Sequence, residues 1–511
     1  MIGREWVRLL AQIRPNFEEI KTSPAAYLWD NRIHIFMKIY NTLSRQVEDF
    51  KPLQPPQVKF YACGPTVYDY AHIGHLRKYT LDDVLLRVLK WNKFEVKFVQ
   101  NVTDVGHLAS DADTGEDKLE KGAKKYSLDV WQLAKKFEDY FYHSMRLMNN
   151  RLPDVICRAT DHISQMLQLV ETLEKKGYTY LIEGDGVYFD SSQFKDYSKL
   201  AQLDVEELME GARVEKVEGK RNPTDFALWK FERPGENRAM TWPSKWHQRS
   251  FPGWHIECSA MSMKYLGSQI DLHTGGIDHI RVHHTNEIAQ SEAATGKKPF
   301  VKYWVHHNFL TVDGEKMSKS KDNFYTIDDV VEKGYEPMAL RLLFLGAHYR
   351  SELNFTWESL QAAQNSWEKL QEIIAQLKTK AQTNVTQPSD LAKKYHQQFF
   401  ASVGYDLGTP EALSILWQVV KERDLLAEEK LSLLLDFGQV LGFGFDNIQA
   451  AENSQSLAVD QLPNEVRVLL KERKEARKQN DFSTADQLRD QLAKLGYRVI
   501  DEESGQKVFA I

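Results

Sequence analysis

A strand, a turn and a helix follow one another between residues 58 and 91, and this succession constrains the fold more than any other part of the chain. The run from Val58 to Cys63 is apolar and β-forming, and it ends at the Gly64-Pro65 turn. In LDDVLLRVLKW, residues 81–91, apolar residues recur at helical spacing. The succession predicts part of a nucleotide-binding α/β fold, because free N–H groups at a helix start suit phosphate.

Two histidines lie at the predicted start of this helix. In the segment AHIGHLR, His72 and His75 are three residues apart, with Gly74 between them. A glycine leaves room for a flat base to approach the backbone. Histidines at this spacing are equally compatible with a structural role, so the segment by itself predicts phosphate binding only weakly.

Two lysines lie in a later polar segment, GEKMSKS, residues 314–320. Lys316 and Lys319 are flanked by small hydroxyl residues and a glycine, a composition that fits a loop able to close on phosphate. Loop lysines are commonly only solvated. This segment is therefore also a weak signal when it is taken alone.

Four residues form a candidate set of metal ligands. Cys63, in YACGPTVYD, and Cys258, in GWHIECSAM, supply thiolates, and HHTNE supplies His283 and Glu287. Zn²⁺ accepts these ligand types, and thiolate with imidazole favours zinc over the hard cations. His283 and Glu287 share one face if their segment is helical. The alternative is that the cysteines are small apolar residues of the core, which is how Cys157 is interpreted.

The order HIGH, then KMSKS, resembles the class I aminoacyl-tRNA synthetases. With the four candidate metal ligands added, the chain resembles the cysteinyl-tRNA synthetases of that class. The resemblance spans roughly residue 37 to the C-terminus and is strongest before residue 357. The segments that carry it are MKIYNTLSR (37–45), CGPTVYDYAHIGHLR (63–77), NVTDVGH (101–107), DFALWK (225–230), PGWHIECSAM (252–261), HTGGIDHIRVHHTNE (273–287), FLTVDGEKMSKS (309–320) and ALRLLFLGAHYRSELNFT (339–356).

The resemblance implies a fold and a reaction. The fold is α/β, a Rossmann-like class I catalytic domain that is split by an insertion and followed by an α-helical tRNA-binding region. The reaction is ATP-dependent activation of L-cysteine to cysteinyl adenylate, followed by transfer to the 3′ end of tRNA(Cys), with pyrophosphate and AMP as products. One Zn²⁺ per chain binds the cysteine thiolate, and Mg²⁺ accompanies ATP.

The resemblance also assigns roles to individual positions. His72 and His75 contact the phosphates in the transition state, and Lys316 and Lys319 bind the leaving pyrophosphate. The residues assigned to ATP are His72, His75, Gly275, Gly276, Asp278, Lys316 and Lys319. The residues assigned to cysteine are Cys63, Thr103, Trp254 and His283, and those assigned to zinc are Cys63, Cys258, His283 and Glu287. The plainer alternatives are a turn at Gly275–Gly276, a strand end at Thr103 and a core aromatic at Trp254.

Zinc would account for the selection of cysteine over serine. A pocket that relies on size discriminates by only ~1–3 kcal/mol. Sulfur binds Zn²⁺ far better than a hydroxyl does. No editing domain is then required, and the sequence contains no insertion of that size.

Composition sets outer limits on the interpretation. The chain has 511 residues, enough for several domains, and a net charge of −6, so RNA affinity must come from local basic patches. No stretch approaches the ~20 apolar residues of a membrane helix, which predicts no membrane partner. Three cysteines argue against a disulfide framework and predict a reducing, cytoplasmic environment. No exposed apolar helix stripe is obvious, which predicts a monomer.

Composition and resemblance together divide the chain into seven predicted segments. Residues 1–36 are an extension, or they lie upstream of a true start at Met37, which is slightly preferred. The others are 37–148, the first catalytic half; 149–249, the connective insertion; 250–315, the second catalytic half with the zinc ligands; 316–375, the KMSKS loop and a region that contacts the tRNA stem; 376–455, a helical bundle; and 456–511, an anticodon-binding region.

A cluster of five basic residues lies on one predicted helix of the last segment. They are Lys471, Arg473, Lys474, Arg477 and Lys478. Each phosphate that they neutralise would add a salt-sensitive contribution to RNA affinity. Composition slightly favours a solvated face whose charges pair with Glu472 and Glu475, whereas the resemblance favours contact with the anticodon.

Three segments depart from the family pattern. Lys321-Asp322 follow KMSKS where Leu-Gly is common, and residues 247–251 replace a Gly-x-Gly-Arg run. The tail GQKVFAI offers Phe509 where a Trp often lies near the end, so we expect weaker stacking on an anticodon base.

Two other functions compete with the synthetase interpretation. The first is an ATP-dependent ligase that joins cysteine to a small amine, such as an amino-sugar, on the same fold. The region beyond residue 389 and its basic helix disfavour this ligase. The second is an inactive RNA-binding or regulatory paralogue. In such a protein we expect substitutions at the motif residues, but all of these residues are intact.

Overall fold

The computed structural model describes residues 37–106, 117–202, 218–317, 323–381, 387–450, 459, 462–479, 481–502 and 505–510. The expectations for residues 1–36, for Lys319 and for Lys321-Asp322 fall outside the described residues. The chain divides into two compact units, Met1–Gln371 with Gln382–Asn447 and Glu372–Ala381 with Ile448–Ile511. The finer division into seven segments stays a prediction.

The strands up to residue 355 are, in chain order, β1 (Lys38–Asn41), β2 (Gln46–Asp49), β3 (Gln57–Ala62), β4 (Glu95–Val102), β5 (Val155–Arg158), β6 (Thr179–Ile182), β7 (Gly186–Phe189), β8 (Phe226–Phe231), β9 (Ser250–Pro252), β10 (Ile270–Gly276), β11 (Val301–His307), β12 (Leu310–Val312), β13 (Glu315–Lys316) and β14 (Leu353–Phe355).

The helices up to residue 441 are α1 (Ile73–Trp91), α2 (Lys118–Tyr126), α3 (Val130–Leu147), α4 (Ile163–Lys175), α5 (Trp254–Leu266), α6 (His283–Thr295), α7 (Ile327–Glu332), α8 (Pro337–Leu345), α9 (Trp357–Lys380), α10 (Asp390–Gly404), α11 (Thr409–Lys421) and α12 (Ala427–Leu441).

A five-stranded parallel sheet organises the catalytic part of the larger unit. Its strand order is β11-β10-β3-β4-β5, and all four pairings are parallel. The residues of β10 and β11 are buried almost throughout, which is typical of a sheet covered on both faces. The α/β class predicted from the sequence is therefore present. Ligands of such sheets bind beyond the carboxyl ends of the strands, so the residues that follow β3, β4, β10 and β11 are the first candidates for a site.

The predicted strand-turn-helix unit is formed by β3 and α1. His72 is the N-cap residue of α1, and its ring accepts a hydrogen bond from the backbone N–H of His75. The ring of His75 accepts in return from the backbone N–H of His72, which completes a capping box. The two histidines thus determine where the helix begins.

Between β5 and α5 the chain forms a second, antiparallel sheet with the order β6-β7-β8-β9. Further along, α10, α11 and α12 form a helical bundle, as their apolar spacing predicts, and the rings of Phe399 and Phe437 stack with centroids 3.8 Å apart. Within the described residues, no helix is both long enough and apolar enough to cross a membrane.

The smaller unit contains α13 (Asn464–Lys478), α14 (Phe482–Lys494) and the antiparallel hairpin of β15 (Tyr497–Glu502) and β16 (Gly505–Ala510). Aliphatic residues from the helices, the hairpin and the segment just before α13 form its core. They are Leu462, Val466, Leu470, Leu492, Val499 and Val508.

Candidate active site and metal centre

Four side chains from three segments converge beyond the carboxyl end of β3. One ligand atom each from Cys63, Cys258, His283 and Glu287 lies within 4.8 Å of the others, and all four residues are buried. Cys63 follows β3, Cys258 lies in α5, and the other two lie one turn apart at the start of α6. The structure thus brings together the four candidate metal ligands that the sequence indicated. We call them the metal quartet.

Two further histidines contact the same centre, and sequence reasoning missed both. His273 and His284 form a second, overlapping set of candidate ligands with Cys63 and Glu287. His284 Nε2 lies 3.3 Å from Cys63 Sγ, and His273 Nε2 lies 3.2 Å from Glu287 Oε2. The available signals were the position of His284 next to His283 and the position of His273 near the end of an apolar strand run.

Electrostatics in the centre favour a buried carboxylate among imidazoles. Burial acts to raise the pKa of Glu287, but the neighbouring His273 and His283 outweigh it and lower that pKa to about 2. Burial acts to lower the pKa of His283, but Cys258 and Glu287 raise it to about 10. Burial raises the pKa of the Cys63 thiol. A divalent cation would stabilise the deprotonated donors, because metal ligands bind in that form.

The donor set tests which ion fits. Two thiols, one imidazole and one carboxylate within reach of a single point match the ligand types of Zn²⁺. Ca²⁺ and Mg²⁺ prefer sites built from oxygen ligands. The residues present therefore fit zinc.

A chain of hydrogen-bonded rings supports the centre. His284 Nδ1 lies 2.7 Å from His306 Nε2, and His306 Nδ1 lies 2.7 Å from Thr42 Oγ1. On the other side, the Nδ1 atoms of His283 and His255 are 3.0 Å apart. Partners of this kind fix the orientation of ligand rings and contribute to metal affinity.

The hydrogen bonds of the Thr103 hydroxyl define which of its positions donates and which accepts. Thr103 Oγ1 donates to Glu257 Oε2 at 3.1 Å and accepts from Asn101 Nδ2 at 3.1 Å. A hydroxyl has one donor and two acceptor positions. The remaining capacity of Thr103 is therefore that of an acceptor, which suits an N–H group of a ligand.

Trp254 lies next to the metal quartet rather than deep in a separate core. It is the first residue of α5 and is only half-buried. Its ring centroid is 4.6 Å from that of His283 and 6.0 Å from that of His279. The half-buried ring is therefore placed to contact a small molecule bound beside the metal ligands.

The two phosphate-directed motifs meet at the start of α1. The rings of His72 and His75 stack with centroids 3.6 Å apart. A Cβ atom on Gly74 would lie 2.6 Å from Met317 Cε, so the glycine leaves room for the end of this side chain to approach the helix start. Tyr325, which follows the KMSKS segment in the chain, also contacts this helix start, because its carbonyl accepts a hydrogen bond from the N–H of Ile73 at 2.9 Å.

Lys316 is on β13, exposed, and it precedes Met317, which packs on Gly74. Its position leaves the ammonium group accessible to an anionic ligand near the helix start. Lys319 lies outside the described residues, so its predicted role stays a prediction.

The glycines at the end of β10 accommodate side chains of the protein itself. A Cβ on Gly275 would collide with the ring of His284, and a Cβ on Gly276 would collide with the carboxylate of Asp278. Asp278 is exposed in the short turn that follows the strand. The first glycine is thus required by packing of the metal centre, while Asp278 is accessible to a ligand.

The basic helix α13 divides into two kinds of residue. Arg473 is buried, 3% exposed, and donates two hydrogen bonds to Asp501, at 2.9 and 2.8 Å. Arg477 is 41% exposed and also pairs with Asp501, at 3.3 Å. Lys471, Lys474 and Lys478 are exposed. The candidate RNA-contacting residues are therefore these lysines, and Arg473 has a structural partner in β15 that its sequence position did not reveal.

Two sequence families match this chain. The model of the family described as tRNA synthetases class I (C) catalytic domain matches residues 49–365. The model described as cysteinyl-tRNA ligase anticodon binding domain matches residues 459–508. The first match covers more than half of the chain and includes the metal quartet, His72, His75 and Lys316.

Individual proteins and structures agree with these matches. A cysteine–tRNA ligase of Burkholderia lata is 45% identical over 477 residues, 93% of this chain and 97% of that protein. One of Treponema denticola is 40% identical over 490 residues, 92% and 98% of the two chains. The structure of Mycobacterium tuberculosis methionyl-tRNA synthetase in complex with methionyl-adenylate aligns with a TM-score of 0.54 at 16% identity, over 76% of this chain and 90% of that one. At that identity the likeness concerns the fold alone.

Proposed function

The chain belongs to the class I (C) tRNA synthetase family, the cysteine–tRNA ligases, and on this premise we propose that it activates L-cysteine with ATP and transfers the cysteinyl group to tRNA(Cys). One observation carries the proposal. A buried quartet of metal ligands that includes two thiols lies in the same part of the fold as the helix start where the HIGH and KMSKS segments meet. A sulfur-containing amino acid and a triphosphate can thus bind in one site.

Cysteine is selected at the metal quartet. Cys63, Cys258, His283 and Glu287 would hold zinc, which would supply a borderline-soft Lewis acid with a preference for thiolate over hydroxyl. Trp254 limits the size of the pocket. Selection by ligand chemistry, and not by size alone, removes the need for an editing step.

The amino group of cysteine has a matching acceptor. Thr103 Oγ1 donates a hydrogen bond to Glu257 and accepts one from Asn101. The remaining lone pair of the hydroxyl accepts an N–H of the substrate ammonium group. The buried Glu257 carboxylate adds a favourable charge nearby. Together these groups orient the amino acid so that its carboxylate faces ATP.

His72 and His75 act on the phosphates of ATP. Nδ1 of each ring accepts a backbone N–H within the capping box, which places the ring proton of a neutral imidazole on Nε2. Each Nε2–H is then a donor for phosphate oxygen at a helix N-terminus, where the dipole also favours anions. The cysteine carboxylate attacks the α-phosphorus, and the bond to the pyrophosphate leaving group breaks.

Lys316 and Lys319 bind the pyrophosphate as charge develops on it, a role that acts in the transition state more than in the ground state. Gly275, Gly276 and Asp278 lie at the adenosine end, where the exposed carboxylate can accept from ribose hydroxyls. Mg²⁺ accompanies ATP, held mainly by phosphate oxygens and water.

The second step uses the tRNA. A hydroxyl of the terminal ribose attacks the carbonyl carbon of cysteinyl adenylate, and AMP leaves. We assign anticodon contact to the smaller unit, where the exposed Lys471, Lys474 and Lys478 supply positive charge. The protein acts as a monomer in the cytoplasm, and its three free thiols agree with a reducing compartment.

The ligase that joins cysteine to a small amine is not favoured. Residues 459–508 match a cysteinyl-tRNA ligase anticodon binding domain. A domain of this kind serves a tRNA ligase, whereas an amine ligase has no anticodon to bind. The direct test supplies ATP and cysteine with either tRNA or an amino-sugar and measures which acceptor becomes cysteinylated.

That test is preceded by pyrophosphate exchange with each amino acid and by metal analysis. We expect exchange with cysteine, negligible exchange with serine, one zinc per chain and cysteinylation of tRNA alone. Exchange with serine as fast as with cysteine, or cysteinylation of the amino-sugar alone, would contradict the proposal.

A further inference from the structure

A buried ion pair on α1 reaches the backbone of Cys63. Lys78 Nζ lies 2.7 Å from Asp82 Oδ2, and the two side chains are 13% and 2% exposed. The same ammonium group donates to the Cys63 carbonyl oxygen at 2.8 Å. Lys78 is one turn beyond His75, but the phosphate chemistry of the motif gives it no role.

The other side of the ion pair is anchored as well. Asp82 Oδ1 lies 2.9 Å from His307 Nε2, and His307 is the last residue of β11 and is buried. Burial acts to raise the pKa of Asp82, but Lys78 and His307 outweigh it and lower that pKa. A buried carboxylate without a charged or hydrogen-bonding partner would destabilise the folded state. The three residues therefore form one connected unit that joins α1 to two strand ends.

The strand ends that this unit joins are not neighbours in the sheet. Cys63 follows β3, His307 ends β11, and β10 lies between the two strands. Backbone pairing joins β3 to β11 only through β10, which pairs with both strands. The Lys78–Asp82 pair adds a connection through the helix, at the edge of the sheet where the metal quartet lies.

The peptide group after Cys63 is held on both sides. Its carbonyl accepts from Lys78, and its N–H, which belongs to Gly64, donates to Asn101 Oδ1 at 2.8 Å. The N–H of Cys63 itself donates to the Thr274 carbonyl at 3.0 Å. The orientation of this peptide determines where the Cys63 side chain points, and Lys78 is the only cation among these partners.

We propose that Lys78 is a positioning residue of the amino-acid site, which fixes the peptide of Cys63 so that its thiolate lies within the metal quartet. Asp82 and His307 hold the ammonium group in place. The proposal rests on the proposed function in one respect, that Cys63 binds the metal and thereby the substrate sulfur. Lys78 acts through Cys63 and does not itself touch cysteine.

Substitution of Lys78 by methionine tests the proposal, because methionine keeps much of the side-chain length and removes the donor and charge. We expect Lys78→Met to weaken Zn²⁺ retention ~10–100-fold, the range for loss of a group that supports a metal ligand. Retention is measured with zinc alone against a chromophoric chelator. In pyrophosphate exchange, KM for cysteine should rise by a similar factor while KM for ATP stays within about twofold.

A second variant separates positioning from stability. Lys78→Met leaves Asp82 buried without its cation, which by itself destabilises the fold. The double variant Lys78→Met with Asp82→Asn removes both charges, so the thermal midpoint should recover while the zinc defect remains. Lys78→Arg keeps a cation and donors and should restore part of the zinc retention.

Lys199→Met is the matched control. Lys199 Nζ pairs with Glu292 Oε2 at 2.6 Å, the side chains are 24% and 1% exposed, and Glu292 lies on the same helix as His283. Loss of this pair should leave zinc retention and KM for cysteine unchanged. Equal zinc loss in this control, or normal zinc retention and KM in the double variant, would overturn the proposal. Failure of the wild-type protein to exchange with cysteine would refute the proposed function instead.

Discussion

The metal centre and helix α13 use buried charge in opposite ways. In the metal centre the buried residues are the functional candidates, because the donor atoms of Cys63, Cys258, His283 and Glu287 converge on one point. In α13 the buried Arg473 is paired with Asp501 of the same unit, and the exposed lysines around it are the functional candidates. Burial by itself is therefore no guide to function. A buried polar group is a functional candidate when its protein partners leave it able to bind a ligand, and a structural one when those partners use its hydrogen-bonding capacity.

The largest expected effect comes from removing a ligand of the metal quartet. Cys258→Ser should lose zinc and reduce cysteine-dependent pyrophosphate exchange by at least ~100-fold, since loss of a supporting group alone costs ~10–100-fold. Metal analysis and exchange rates measure both effects. Cys157→Ser is the matched control, because Cys157 is also buried but its Sγ donates to the Gln100 carbonyl and it is not part of the quartet. Normal zinc content in Cys258→Ser would refute the assignment.

The next effect concerns exposed charge near the chemistry. Lys316→Ala and Lys319→Ala should each lower kcat of adenylate formation ~100-fold, because the partner charge develops in the transition state. KM for cysteine should change little, as single-turnover kinetics would show. Lys333→Ala, at the end of α7 and also exposed, is the control and should retain the wild-type rate. A rise in KM for cysteine with kcat unchanged would instead indicate a role in ground-state binding.

Neighbouring residues of α13 give a direct test of the comparison. Arg473→Met should destabilise the smaller unit by about 2 kcal/mol, below the ~3–5 kcal/mol of a fully buried pair because Asp501 stays partly exposed. Lys474→Met should leave stability unchanged and reduce the slope of log affinity for tRNA against log salt by about 0.7–0.9. Denaturant unfolding and salt titrations measure the two effects. If the two substitutions acted alike in both assays, the division of α13 into structural and RNA-contacting residues would be wrong.

The smallest effect is a pH dependence of the same unit. The hydrogen bond from Arg473 lowers the pKa of Asp501 from its ordinary value of 3.8. The folded state therefore holds the ionised form more strongly than the unfolded chain does, so the contribution to stability is present above 3.8 and is lost as the pH falls through the lowered folded pKa. Unfolding of wild type and Asp501→Asn should differ by less than about 2 kcal/mol near pH 6 and converge near pH 2. A difference that grows towards acid would contradict this assignment.

Several features were predictable because their signal is local. The strand-turn-helix unit at β3 and α1 follows from apolar periodicity and a Gly-Pro turn within about thirty residues. The metal quartet was recognisable because each member lies in a segment with its own chemical pattern. The basic residues of α13 were correctly placed on a helix, although their division into buried and exposed positions was not foreseen.

By itself the sequence determined the α/β class, the order of the phosphate-directed motifs and the identity of the four candidate ligands, since these depend on residue type and short-range spacing. Only the tertiary structure decided that His273 and His284 join the metal centre, that Gly275 is required by the ring of His284, and that Lys78 holds the Cys63 carbonyl. These partners come from separate strands and helices. Whether these side chains meet depends on how the strands and helices pack against one another. The periodicity of the sequence predicts each element separately, but it does not predict which side chain of a distant element will contact it.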